Sequence, residues 1–476
     1  MHRPSYIMRF TTLLMLALGW LGCDKEGFIS SPDALLQIGV DTLRFDTVFT
    51  STGSVTRQFT LVNENNQKLR IDRIRLFGGN SSAFALNING QPLPDAQGLE
   101  LAAQDSLYIF VRVTINPNAA NQPFVVRDSI EIIFNGNNRM VQLQAYGQNA
   151  RFINGGTLSG TTVWDANLPY VILKPLTVAA GATLRIEKGS RIYCNANAPL
   201  IVNGRLQCLG EAGETDRIRF RSDRLDAPNS DFPGGWPGII FNDGSIGNLL
   251  RYTQISNAFQ AILCAGQPAA VPAKLIMEQC IIENAYDIGL FAFNSSVIAR
   301  NCKITQCGND GQAGTGGSNV ILTGGGQYNF EHCTLVTYAN FYQNHRQPVL
   351  YAGNSFNGVT QPMHTRFTNC IVWGEGGLPE NEILINRVAG PAFTFLLQNV
   401  LYKSKDALQN VVEQQVIRNQ DPLFDSINTN LRRYNFRLRT GSPAINAGQT
   451  SILLTDLDGN PRTVGTQPDL GAYEMR

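Results

Sequence analysis

The sequence predicts an all-β chain: an antiparallel sandwich, then a parallel β-helix, then a C-terminal cap. Three observations carry this. Apolar residues alternate with period two between 36 and 150, the mark of half-buried strands. A short apolar signature recurs six times between Leu250 and Leu401. The 476 residues hold 45 Gly and 22 Pro with 16% charged residues, which favours short strands joined by turns over long helices. With 43% hydrophobic residues the chain can bury a sizeable core. The boundaries read 1–22 leader, 23–35 linker, 36–150 sandwich, 151–405 β-helix and 406–476 capping segment.

In the leader, Arg3 and Arg9 precede the apolar stretch TTLLMLALGWLG, too short for a comfortable membrane span. Leu21-Gly22-Cys23 resembles the lipobox of bacterial lipoproteins, which implies lipidation at Cys23; an ordinary signal peptide is the alternative. Asp24-Lys25-Glu26 is similar to an export tag directing lipoproteins to the outer face of the outer membrane. No later segment reaches about 18 uninterrupted apolar residues, so the expectation is a protein anchored to a membrane and not spanning it. Formal charge falls from +1 to about −1 once Arg3 and Arg9 are removed, which leaves no positive excess for nucleic acid.

The sandwich is read from Phe59 and Leu61; Leu107, Ile109, Val111 and Val113; Ile130, Ile132 and Phe134; and Val141 and Leu143, separated by turns such as Asn135-Gly136-Asn137-Asn138. The run FDTVFTSTGSVTRQFTLVNENNQKLRI is similar to immunoglobulin-like modules of the ASPM/SPD-2/hydin type, which implies a spacer or adhesive unit. Asp72, Arg73 and Arg75 read as a solvated face.

The repeat is aligned on Thr253, Cys280, Cys302, Cys333, Cys370 and Asn399. Three positions before each stands Leu250, Met277, Ala299, Phe330, Phe367 or Leu396, and two positions after stands Ile255, Ile282, Ile304, Leu335, Val372 or Leu401. Short β-branched segments closed by Asn or Gly exclude a helical solenoid, so each copy is one coil, stacked at roughly 4.8 Å on the next. The position before the centre, with Gln279, Asn301, His332, Asn369 and Gln398, predicts a polar corner ladder. Arg251, Glu278, Arg300 and Glu331 alternate in sign up the stack.

The stretch from Pro169 to Glu211, the element Trp236-Pro237-Gly238-Ile239-Ile240-Phe241 and the C-terminal run through NFRLRTGSPAINAG to Asp469-Leu470-Gly471-Ala472-Tyr473-Glu474 resemble right-handed β-helix proteins of the pectate-lyase-like superfamily. That likeness implies a right-handed coil, and it makes polysaccharide lyases and hydrolases a class to weigh.

Without Cys23 eight cysteines remain. Stacked coils bring the α-carbons within bridging range, but parallel side chains suit the disulfide dihedral poorly, so buried free thiols are expected over bridges. No CxxC pair suggests a metal. The acids between Arg251 and Val400 form no clustered motif, and Asp456 and Asp458 read as a turn, although Ca²⁺ is possible if the protein is a lyase. The longest insertion, between Leu335 and Phe367, carries Tyr338, Tyr342, His345, Arg346 and Tyr351. His345 and Arg346 are the candidate catalytic base and carboxyl clamp if the protein is an enzyme. Tyr338, Tyr342, Tyr351, Trp373, His332 and His364 are the candidate ligand-binding residues, supplying rings for sugars and a cationic patch. The leading expectation is a surface lipoprotein whose β-helix binds a polysaccharide or other surface polymer without cleaving it. A polysaccharide lyase or hydrolase acting on acidic glycans is the alternative, and a structural subunit docking another outer-membrane protein is a third.

Overall fold

A computed structural model describes residues 27–50, 53–118, 123–266, 273–309, 311 and 314–476. The leader and Cys23 lie outside them. The chain divides into two compact units, Met1–Asn149 and Ala150–Arg476. Among the described residues no helix is long and apolar enough to cross a membrane.

The first unit is an antiparallel sandwich. One sheet has the order Leu36–Ile38, Arg57–Asn63, Ser106–Val113, Phe84–Ile88; the other has the order Thr42–Phe49, Asn137–Gln148, Phe124–Phe134, Leu69–Leu76, Asp95–Leu101. Thr42–Phe49 pairs with Asn137–Gln148 in parallel. The inward residues of the period-two pattern, among them Phe59, Leu61, Ile109, Val111, Ile130, Ile132, Val141 and Leu143, fill one core. Arg73 pairs with Asp95 and Arg75 with Glu131 on its outer face.

The second unit is a parallel β-helix with three strands per coil. The first face stacks eleven short strands, from Arg151–Ile153 through Thr253–Ser256, Ile281–Glu283, Lys303–Thr305, Thr334–Tyr338 and Ile371–Glu375 to Leu401–Tyr402 and Ile417–Arg418. The other two faces merge where long strands such as Ile288–Arg300 and Val320–Glu331 run around a corner and serve both. Inward residues from all three faces make a continuous core in which Phe330 stacks on Phe367, ring centroids 4.6 Å apart. Each such ring or aliphatic chain, fully buried, contributes roughly 1.5–3 kcal/mol.

The aligned column stands as expected from Thr253 to Cys370, since Gln254, Ile281, Lys303, Thr334 and Ile371 pair in turn. The last copy is displaced by one residue. Phe367 pairs with Leu397 and Ile371 with Leu401, which sets Val400 on Cys370 and Asn399 on Asn369. Leu396-Leu397 and Leu401-Tyr402 are both apolar pairs, so the pattern fits either register, and burial of Leu397 and Tyr402 selects the observed one.

The thiols have a structural role. Cys280, Cys302, Cys333 and Cys370 each donate Sγ–H to a carbonyl of the preceding coil, those of Leu250, Met277, Ala299 and Phe330, at 3.1–3.6 Å. All eight cysteines of the β-helix are free and buried. Burial pushes the Cys264 thiol up to about 11 and the Cys307 thiol up to about 12, which suppresses the reactive thiolate.

The corner ladder is also present, and backbone geometry explains its composition. Gln279, Asn301, His332, Asn369 and Asn399 all take the left-handed conformation, with φ between 50° and 54°. Asn is among the few residues that tolerate it.

The capping segment forms, and its position is lateral. Strands continue to Arg418, so the final coils use residues that the sequence pattern assigns to the cap. From Phe424 the chain turns back along the first face. Phe424–Asn428 and Arg433–Leu438 pair as a hairpin, and the remainder runs over the outward side chains Val336, Ile371, Trp373 and Leu401.

Thiol titration checks this architecture. In the native protein none of the eight β-helix thiols should react, and all eight should react after denaturation without reductant; near-zero release would contradict the ladder.

Candidate functional site

Period two places alternate side chains of the first face outward, in two columns. One reads Arg191, Arg219, Gln254, Ile281, Lys303, Thr334, Ile371, Leu401. The other reads Tyr193, Arg221, Ser256, Glu283, Thr305, Val336, Trp373. The second changes from polar to apolar along the stack, and the first, interrupted by Ile281, ends on Ile371 and Leu401. The apolar part lies beneath the C-terminal segment, and the polar part stays open.

This open part is a cleft of about 510 Å³. Gln254, Ser256, Glu283, Lys303 and Thr305 form its floor, the hairpin residues Leu431–Phe436 one wall, and Ser230, Asp231, Asn257, Asn284, Asn340 and Gln343 the other. A second depression of about 310 Å³ shares Arg221, Gln254 and Ser256 with it and adds Arg191, Tyr193, Glu214 and Arg219, so the groove extends along the earlier coils.

Glu283 lies 3.2 Å from Lys303 Nζ and accepts from Gln254 Nε2 at 2.6 Å. Burial works against its charged form, but the Lys303 ammonium and these hydrogen bonds hold the carboxyl below the usual glutamate range. It is a fixed, paired anion and not a proton donor poised near neutrality. Arg219 pairs with Glu214 and Arg432 with Asp231. Arg191, Arg221 and Arg433 have no carboxylate partner among the described residues. The lining therefore carries cations in excess.

The segment that follows the hairpin is held by the corner ladder. Asn301 Nδ2 donates to Thr455 O at 2.7 Å, Asn369 Nδ2 to Gln449 O at 2.8 Å, and Asn399 Nδ2 to Ala447 O at 2.9 Å. Buried Arg462 donates to the carbonyls of Gly471 and Ala472 and to Asn301 Oδ1. Asp456 accepts from the backbone N–H of Asp458 and Asn460, and Asp469 from those of Asn446 and Met475.

The candidate residues named from sequence do not share one site. His345 is buried, its Nε2 2.9 Å from Glu382 Oε1, while Glu382 Oε2 accepts from Val349 N–H at 3.2 Å. A Cβ at Gly374 would lie 2.3 Å from both partners, which is why glycine stands there. Arg346 is exposed. The pair His345 and Arg346 is thus split between interior and surface, because the glutamate that fixes the loop takes the histidine inward. Tyr351 is buried in a small cluster with Ile288 and Ile321. Trp373 is buried beneath the C-terminal segment with Lys403 Nζ 5.6 Å from its ring. Tyr338 packs on Phe436. His332 is a buried corner residue whose Nε2 accepts from Asn369 Nδ2, and burial together with Arg462 keeps it neutral, well below the ordinary histidine range, so it adds no cation. His364 is exposed on another face, Nδ1 2.9 Å from Thr394 Oγ1. Tyr342 stands beside the cleft residues Asn340, Gln343 and Arg432: its ring meets Phe232 and lies 4.6 Å from the Arg432 guanidinium. Among the described residues no three His, Cys, Asp or Glu side chains converge as a metal site.

No family model and no curated protein matches the chain. Solved structures are distantly similar. The catalytic unit of a family GH87 α-1,3-glucanase from Streptomyces thermodiastaticus aligns at 10% identity with a TM-score of 0.24, covering 76% of this chain and 88% of that one. A family 123 glycoside hydrolase from Clostridium perfringens aligns at 10% identity and a TM-score of 0.19, and the match spans 26% of each chain. The human CEP192 PapD-like domain 7 aligns at 11% identity and a TM-score of 0.17, covering 24% of this chain and 84% of that domain. Likeness at this level fixes neither activity nor ligand.

Two substitutions separate structure from site. Removing His345 leaves the Glu382 carboxylate buried without its partner, so His345→Ala should lower stability by about 3–5 kcal/mol, read by denaturant unfolding. Burial raises the Glu474 carboxyl to about 7 from an ordinary value of 4.5, and Asp469 is raised for the same reason. The folded state then holds more protons than the unfolded chain between about 4.5 and about 7, so stability falls as pH rises through that window. Glu474→Gln should flatten this slope; an unchanged slope would contradict the burial of Glu474.

Proposed function

We propose that the β-helix binds an anionic glycan along the open part of its first face, without cleaving it. The observation that carries this is a cleft of about 510 Å³ lined by Arg221 and Arg433 without carboxylate partners, continued by Arg191 in the adjoining depression. Guanidinium groups donate to carboxylate or sulfate oxygens in bidentate fashion. Gln343 Oε1, which has no hydrogen-bond partner, can accept from a hydroxyl group, and Tyr434 and Tyr342 supply flat rings at the wall and rim. The acid present on the floor, Glu283, is engaged by Lys303 and Gln254, which favours holding a ligand over transferring a proton.

Within this proposal the chain is a distant member of the pectate-lyase-like β-helix class. The sandwich serves as an immunoglobulin-like spacer, and Cys23 carries a lipid that anchors the protein at the outer membrane with the β-helix presented at the cell surface.

Polygalacturonate is the probe. Retention on it should weaken with salt, should fall about tenfold or more for Arg221→Ala, equivalent to about 1.4 kcal/mol, and should persist for folded His345→Ala. Absence of retention on a panel of acidic glycans overturns the reading. Appearance of an ultraviolet-absorbing unsaturated product replaces binding by lyase action.

A further inference from the structure

We infer that the groove is closed at its C-terminal end, so that it receives the terminus of a glycan chain and excludes chain interiors; this rests on the glycan reading above. The floor is open at Arg191, Tyr193, Arg219 and Arg221, at Gln254 and Ser256 and at Glu283, and continues to Lys303 and Thr305, while Ile281 already packs against the covered cluster. In the next coils the same two columns carry Val336, Ile371, Trp373 and Leu401. These are buried against Phe424, Phe436 and Leu438 of the hairpin and Leu457, Leu470 and Tyr473 beyond it. A ligand lying on the floor and running toward the C-terminal coils therefore meets packed protein.

The closure is also tied across the groove. The hairpin tip reaches from the C-terminal segment to the opposite wall, where Arg432 Nη1 donates to Asp231 O at 2.8 Å. The Arg432 guanidinium lies 4.6 Å from the Tyr342 ring centroid. Behind it Asn340 Nδ2 donates to Tyr434 Oη at 3.0 Å. The opposite wall is itself anchored to the coils, because Asn257 Nδ2 donates to Ser230 O and Asn284 Nδ2 to Asp231 O. Arg432 is held in the left-handed conformation, φ 51°. Both walls meet at a point where the floor changes from polar to apolar, so the stop belongs to the fold and not to one side chain. A through-groove would leave room for a chain to enter and leave along the sheet; this one leaves a single direction of approach along the floor, from the earlier coils. Chain-end recognition follows, with Arg432 at the closed end where the terminal sugar stops.

Calorimetric titration of the full chain with two probes, long polygalacturonate and a short galacturonate oligomer, tests this. The inference predicts one protein molecule bound per chain for both probes and the same affinity per mole of chains. Several protein molecules per long chain, increasing with its length, would overturn it while leaving the glycan reading intact. Binding of neither probe overturns the glycan reading itself and the inference with it. The double substitution Leu431→Gly with Arg432→Gly, checked by thermal unfolding for an intact β-helix, should weaken binding of both probes while one protein molecule remains bound per long chain; unchanged affinity overturns the role given to Arg432, and a rise in the number bound overturns the assignment of the stop to the packed floor.

Discussion

The register of the first parallel face is the constraint on which the other features depend. Because each rung pairs residue for residue with the next, a side chain type at one position of the repeat becomes a column on the surface. Two outward columns begin as Arg191, Arg219, Gln254 and Tyr193, Arg221, Ser256 and end as Ile371, Leu401 and Val336, Trp373. An apolar face of that kind is unfavourable in water by about 25 cal/mol per Å². The C-terminal segment covers it, and the polar remainder becomes a cleft with the covering hairpin as its wall. Structure and site thus come from one change in residue chemistry along a stack.

The corner supplies the polar half of the same arrangement. A tight turn between faces needs the left-handed conformation, and Asn supplies it at Asn301, Asn369 and Asn399. Once placed there, their amides are aimed outward at fixed spacing, and they bond the backbone of residues 447–455. Backbone demand and docking demand select the same residue. His332 occupies the same row without an acidic partner, and burial keeps it neutral, which suits a position facing Arg462.

The fold was largely legible in the sequence because a parallel β-helix writes its period into the apolar positions. Sandwich and coil assignments follow from alternation at Phe59 and Leu61 or Ile255, Ile282 and Ile304. The last copy slipped by one because doubled apolar residues at Leu396-Leu397 and Leu401-Tyr402 erase the phase. The site was much less legible. His345 and Arg346 stood out as reactive types in the longest insertion, yet a loop's direction is set by tertiary partners such as Glu382, thirty-seven positions away. The signal that does mark the cleft was available: once Ile255, Ile282, Ile304 and Leu335 point inward, the neighbours Gln254, Glu283, Lys303 and Val336 must point outward, and their change of character shows where covering ends. Arg432 and Arg433 could not be found this way, since they arrive from the distant C-terminal hairpin.

Hydrogen exchange on the full chain with and without the pair Asn369→Ala and Asn399→Ala tests the role of the corner amides most directly. If the corner amides hold the covering segment on the apolar columns, exchange should accelerate across 444–475 while the coil strands up to Arg418 keep their protection. Unchanged protection of the covering segment in the double variant, or equal loss across every coil, would contradict it.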